Sequence, residues 1–123
     1  MLQLRSMITV ADNTGAKVAQ LIGIPGKGNI KKAGVGMIVT VVVKKADAQG
    51  SMKKGDVSRA VIVRTRKEFR RKDGSYIRFD DNACIMLEAQ TEAPKGSRVF
   101  GPISREVRTA GFAKIASLAT EIY

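Results

Sequence analysis

The residues with most to offer chemically stand close together. Six of the nine from Arg64 to Lys72 are basic, namely Arg64, Arg66, Lys67, Arg70, Arg71 and Lys72, and only Glu68 opposes them. Arg78 adds another base shortly after. Such a density repels itself in a free protein and is relieved by solvent or by a polyanion. Held out from a rigid body, it makes a basic finger suited to a ligand with many phosphates. Two further groups, Lys27, Lys31 and Lys32, and Lys53 and Lys54, fall in other connecting segments.

A finger needs a frame. The stretch from Ala60 to Asn82 reads as two strand-like runs joined by the basic loop, with Asp73-Gly74 as the tight turn at its tip. Met7 to Val10 reads as an opening strand, stopped by the turn formers Asp12-Asn13-Thr14-Gly15. Lys17 to Ile24 is a second strand. Met37 to Lys45 is β-branched and almost wholly apolar, so the pattern predicts a central strand buried on both sides. Ala46 to Asp56 reads as a polar loop. Arg59 to Thr65 alternates, with Val61 and Val63 on one face and Ile62 on the other. Ser75 to Phe79 and Ala83 to Glu88 are expected to pair across Asp80-Asp81-Asn82. After Pro94 the spacing turns helical, over Ser104 to Thr109 and Phe112 to Leu118. Ser104 is a candidate cap for the first helix, and Phe112, Ile115 and Leu118 share a face that would dock. About six short strands imply a small closed or half-closed β-barrel, with two short C-terminal helices closing one end. The expectation is one domain over 1–123, with the barrel over about 1–90 and the helical segment over about 95–123.

Composition narrows the chemistry. The 123 residues suit a single modest core, and an apolar share of 44% is that of a folded protein rather than a basic tail. The formal charge is +11, and bases stand on nearly every connection, which suggests a body set in polyanion on several sides. The apolar run Met37 to Val43 is too short to span a bilayer, and the amino end lacks the apolar region of a signal peptide, so no membrane partner is expected. There is no His and a single Cys, Cys84, which excludes Cys/His zinc sites, Cys–His dyads and Ser–His–Asp triads. A lone Cys also suits a reducing compartment.

The remaining motifs are ordinary. The glycines between 23 and 36 spell no nucleotide loop, though they allow the main chain near phosphates beside Lys27, Lys31 and Lys32. Ser51 to Lys54 fits Ser-x-x-Lys without its companion motifs. Asp80 and Asp81 are adjacent in a turn and point apart, against acid–base work. Cys84 reads as a small core residue. There is no Trp, and the six aromatics are Phe69, Tyr76, Phe79, Phe100, Phe112 and Tyr123. Phe79, Phe100 and Phe112 suit a core, which leaves Phe69, amid Arg and Lys, to stack on a base. Single-strand binders present several such rings, so the pattern favours folded RNA read by shape and backbone.

At these residues the chain resembles the universal large-subunit ribosomal protein L-fourteen family, over nearly its whole length. The signature of that family is a small residue and three aliphatics, a spacer, Asp-Gly, an aromatic, then Asn and two aliphatics. Here these are Ala60-Val61-Ile62-Val63, Asp73-Gly74, Phe79, Asn82 and Ile85-Met86. Further blocks match in order: Ala11 to Ala16, Ala33 to Gly36, Lys53 to Val57, Phe100 to Glu106 and Lys114 to Ala119. Ile85 and Met86 are mild departures; Met37 replaces a common acidic residue and Thr120 a common Pro.

The resemblance implies a five-stranded barrel with a protruding β-ribbon and small C-terminal helices. It implies a structural, non-catalytic constituent of the large ribosomal subunit, without cofactor or metal. The implied partners are large-subunit ribosomal RNA, small-subunit RNA at intersubunit bridges, neighbouring ribosomal proteins and a ribosome-silencing factor. Arg98, Lys114 and Ser117 are expected on the protein-partner face. The missing N-terminal extension points to the bacterial type, hence a cytoplasmic ribosome, with an organellar copy left open. The alternatives are a free RNA-binding barrel, which would need stacking aromatics on a barrel face, and more distantly an enzyme.

Overall fold

Runs of Val, Ile and Leu at period two build the frame, because β-branched chains pack well on a pleated surface. The computed structural model describes residues 2–25 and 32–123. Five strands close into a barrel in the order β1 (Met7–Val10), β2 (Ala16–Gly23), β3 (Ile38–Ala46), β4 (Val57–Arg64) and β7 (Ala83–Met86). Neighbours run antiparallel except at the seam, where β7 lies parallel to β1 with Thr9 beside Ala83 and Val10 beside Cys84. Between β4 and β7 the chain leaves the barrel to form a ribbon of β5 (Phe69–Arg70) and β6 (Tyr76–Ile77). Two helices follow, α1 (Arg105–Thr109) and α2 (Ala113–Leu118).

There are two cores. Ile8, Leu21, Val39, Val41, Val43, Ile62 and Met86 fill the barrel, together with Cys84. Val61, Val63, Ile85 and Leu87 point out of it, against Val99, Ile103, Val107, Phe112 and Ile115 of the C-terminal segment. The face assignment read from β4 therefore holds, with Ile62 inward and Val61 and Val63 outward.

Several expectations change. The two-side-buried strand is β4; in β3 the inward Val39, Val41 and Val43 alternate with half-buried Ile38, Thr40 and Val42. The C-terminal segment lies over β4 and β7, so those strands receive the second apolar layer. The Ser75-to-Phe79 run pairs with β5, not with β7, because β7 is taken by β4 and β1. The loop after β3 is not wholly polar, since Met52 is buried in the barrel core. Leu118 is 37% exposed, and Ala116 joins Ile115 against the core instead. Phe100 is 52% exposed rather than internal. Ser104 stands at the N-cap of α1, but its hydroxyl makes no cap bond and donates to the Glu106 carboxylate.

Val41 and Val57 allow a matched comparison, one fully buried and the other 62% exposed. Val41→Asp places an unpaired charge in the barrel, a cost comparable with the whole stability of a domain, about 5–15 kcal/mol. Val57→Asp leaves its charge in water and should change stability by under about 1 kcal/mol. Circular dichroism and thermal melts should show no folded Val41→Asp protein and a near-normal transition for Val57→Asp.

Candidate nucleic-acid interface

The ribbon is short, so its root and its docking must aim it. At the root the Phe79 amide donates to the Thr65 carbonyl at 2.9 Å, and the Arg66 amide donates to Asn82 Oδ1 at 2.9 Å. At the tip Gly74 takes φ +88°, a conformation that costs a residue with a Cβ, and its amide returns to the Arg71 carbonyl at 3.0 Å. Asp73 accepts from the Ser75 amide and hydroxyl, and the hydroxyl bond in particular holds its carboxyl below the usual carboxylate range. The tight turn expected at Asp73-Gly74 is present.

Two of the arginines grouped with the free bases differ from the rest. Arg64 is buried at the end of β4. Its Nη1 donates to the carbonyls of Phe100 and Pro102, each at 3.0 Å, and its Nη2 donates to Asp81 Oδ2 at 3.2 Å. Arg71 reaches from the ribbon to α1, where Nη2 donates to Glu106 Oε1 at 3.1 Å, to Ser104 Oγ and to the Tyr123 carbonyl. Each Nε is buried without a directed hydrogen bond, and its compensation is the ion pair, 3.0 Å from Asp81 and 3.0 Å from Glu106 respectively. Burial raises the Glu106 pKa, but the Ser104 hydroxyl and Arg71 outweigh it, so the carboxyl titrates below its usual range. Both arginines are thus internal clamps: one ties β4 to the 100–102 turn, the other pins the ribbon to α1. Asp81 and Glu106 stand far from them in sequence, so no local signal distinguishes these two from Arg66.

The other bases are open. Arg66, Lys67, Arg70, Lys72 and Arg78 are exposed along the ribbon, with Lys67 sharing only a solvent-facing pair with Glu68 at 3.4 Å. Such a pair contributes little. Lys53 and Lys54 are exposed in the turn before β4, and Lys32 is exposed before β3. Lys27 and Lys31 lie outside the described residues. Arg98 is held near Asn13, whose Oδ1 accepts from its amide at 3.2 Å, while Lys114 and Ser117 are exposed on α2. Tyr76 is the aromatic that sequence reasoning missed: it is 66% exposed and lies directly across from Arg70. In the Ser75-to-Phe79 run, Ile77 and Phe79 fall on one face and Tyr76 and Arg78 on the other, and that alternation is the available signal. Phe69 is half-buried. Among the described residues no group of His, Cys, Asp and Glu could hold a metal, and no helix is long and apolar enough to cross a membrane. Cys84 is wholly buried, which pushes its thiol far above its ordinary pKa and leaves it without nucleophilic character.

This is a barrel with a pinned ribbon and outward cations, and its sequence matches, over residues 1–123, the family described as ribosomal protein L14p/L23e. The chain belongs to that family. It is 58% identical over 122 residues to the large ribosomal subunit protein uL14 of Aquifex aeolicus (strain VF5), covering 99% of each chain. It is 57% identical, with the same coverage, to the protein of that name from Aquifex pyrophilus. As a member of the L14p/L23e family it is a structural protein of the ribosome and of translation, not an enzyme. The family resemblance read from the quoted motifs is therefore correct.

Gly101 tests the Arg64 clamp. It takes φ +81°, and a Cβ there would lie 2.4 Å from Arg64 Nη1. Gly101→Ala should lower stability by about 1–3 kcal/mol, through the strained conformation and the displaced guanidinium. In an Arg64→Ala background the same substitution should cost clearly less, because the clash is gone. Urea unfolding of the four proteins measures that coupling; strict additivity would refute the clamp.

Proposed function

We propose that the protein is a structural constituent of the large ribosomal subunit, that it binds large-subunit ribosomal RNA through its basic loops, and that it contributes to intersubunit bridges with small-subunit RNA. The observation that carries the reading is the division among the bases of the ribbon. Arg64 ties β4 to the 100–102 turn and Arg71 pins the ribbon to α1, while Arg66, Lys67, Arg70, Lys72 and Arg78 remain exposed. A pinned array of solvent-exposed cations matches the spaced charges of RNA backbone, and basic loops of this kind set register and orientation where RNA helices converge. Lys32, Lys53 and Lys54 extend the basic surface beyond the ribbon. Neighbouring large-subunit proteins complete the set of partners. The relatives come from bacteria, which suits a cytoplasmic ribosome. The alternative of a free RNA-binding barrel finds no support: Tyr76, Phe100 and Tyr123 are the exposed aromatics among the described residues, and none stands on a barrel strand.

Binding to ribosomal RNA fragments should fall steeply with salt. Each neutralised phosphate contributes about −0.7 to −0.9 to the slope of log K against log salt, so six contacts give about −4 or steeper. Arg66, Arg70 and Lys72 replaced together by Ala should leave the unfolding transition almost unchanged. The same triple variant should flatten the slope by about two units or more and impair incorporation into large subunits. Arg71→Ala should behave in the opposite way on stability, costing roughly 1–3 kcal/mol because Glu106 loses its partner. Salt-independent binding by the unmodified chain would overturn the electrostatic account.

The exposed side of α2 is assigned to a protein partner, a ribosome-silencing factor, with Arg98, Lys114 and Ser117 as its contact residues. What supports this is their exposure, their separation in sequence from the ribbon, and the docking of α2 through Ile115 and Ala116 on its other side. Lys114→Glu combined with Arg98→Glu should leave subunit assembly intact and reduce binding of the factor to assembled large subunits. Failed assembly with unchanged factor binding would reassign this surface to RNA.

A further inference from the structure

Between the ribbon and α1 runs a groove of about 700 Å³, a size that accommodates small organic groups. Its floor is apolar, made by Val35 and Met37 from the turn before β3 and by Phe69 of β5. Its rim is cationic, with exposed Arg70 and Lys72 on the ribbon side and exposed Arg105 on α1. The two acids on its walls are already engaged: Glu106 lies 3.0 Å from Arg71, and Asp73 accepts from Ser75. An acidic peptide would satisfy the rim but make little use of the aromatic wall. A nucleotide satisfies both, because every base has a face that stacks on a ring while its phosphates seek cations.

We propose that this groove receives one unpaired nucleobase of the bound RNA, stacked against Phe69, with the flanking phosphates on Arg70, Lys72 and Arg105. The inference rests on the RNA-binding reading and goes beyond its shape-and-backbone mode, since it adds a slot that only unpaired nucleotides can enter. A base in an A-form helix is covered by its neighbours and cannot reach the floor.

The test uses the full chain and two labelled probes, hexauridylate and a blunt-ended RNA duplex with no unpaired nucleotide, each followed by fluorescence anisotropy at one fixed low salt concentration. Phe69→Ala should weaken hexauridylate binding about tenfold, the scale of one lost base stack. It should leave duplex binding unchanged, and Phe69→Tyr should restore the single-strand affinity. Ala110, exposed on the opposite wall, gives a second variant that keeps the ring. Ala110→Leu fills the groove and should produce the same selective loss. Equal losses for both probes, or none in folded variants, would overturn the slot while leaving duplex binding as support for the general reading. Competition by hexaglutamate as effective as that by unlabelled hexauridylate would also overturn it, by reassigning the groove to an acidic protein segment. Absence of binding to either RNA by the unmodified chain would overturn both readings together.

Discussion

Burial of β4 on both faces fixes the geometry on which the rest of the molecule depends. Ala60 and Ile62 belong to the barrel interior, while Val61 and Val63 lie under the C-terminal segment. A slip of one residue would exchange the two sets, putting each into the wrong core, so the register is held from both sides. The direction in which the chain leaves β4 at Arg64 is therefore set. That matters because the ribbon has only two residues in each strand, and an isolated two-stranded ribbon is marginal in water. Its orientation is borrowed from β4, from the Thr65–Phe79 and Arg66–Asn82 bonds at its root, and from the Arg71 clamp on α1.

Arginine suits the two clamps for a physical reason. A planar guanidinium meets a carboxylate with one edge and carbonyls with the rest of its donors, and it keeps its charge when buried. Arg64 does this between Asp81 and the carbonyls of Phe100 and Pro102, and the turn conformation of Gly101 leaves room for it. A lysine would offer one point charge to four acceptors spread around it. The exposed bases face no such demand, and Lys and Arg alternate there freely.

The sequence discloses what periodicity and turn chemistry determine. Alternation in β4, the Asp73-Gly74 tip and the run of strands were legible because each depends on neighbouring residues. What depends on distant ones was not. Adjacency in the chain matches Ser75 to Phe79 with the Ala83 run, yet β7 is claimed by β4 and, through a parallel seam, by β1. Leu118 carries the right spacing for a docked face, but α2 stops at that residue and the core is already closed by Ile115 and Ala116. Hydrophobicity alone places Phe100 inside; in the structure its carbonyl accepts from Arg64 and its ring is left half in water. For the candidate site the basic stretch was plain and its division was not. Arg64 and Arg71 become clamps only when Asp81 and Glu106 arrive by folding.

That division has an energetic consequence for the free protein. The exposed cations of the ribbon are held near one another by a backbone that cannot spread to relieve their repulsion. Most of the ordering that binding would require of the main chain is already complete, so the remaining cost falls on flexible Arg and Lys side chains. A polyanion then removes repulsion as well as supplying attraction, and both effects weaken as salt screens the charges. A ribbon that folded only on contact could carry the same charges but would pay the backbone entropy at the moment of binding. The two clamping arginines, which touch no ligand in this scheme, are what places this chain on the preorganised side of that choice.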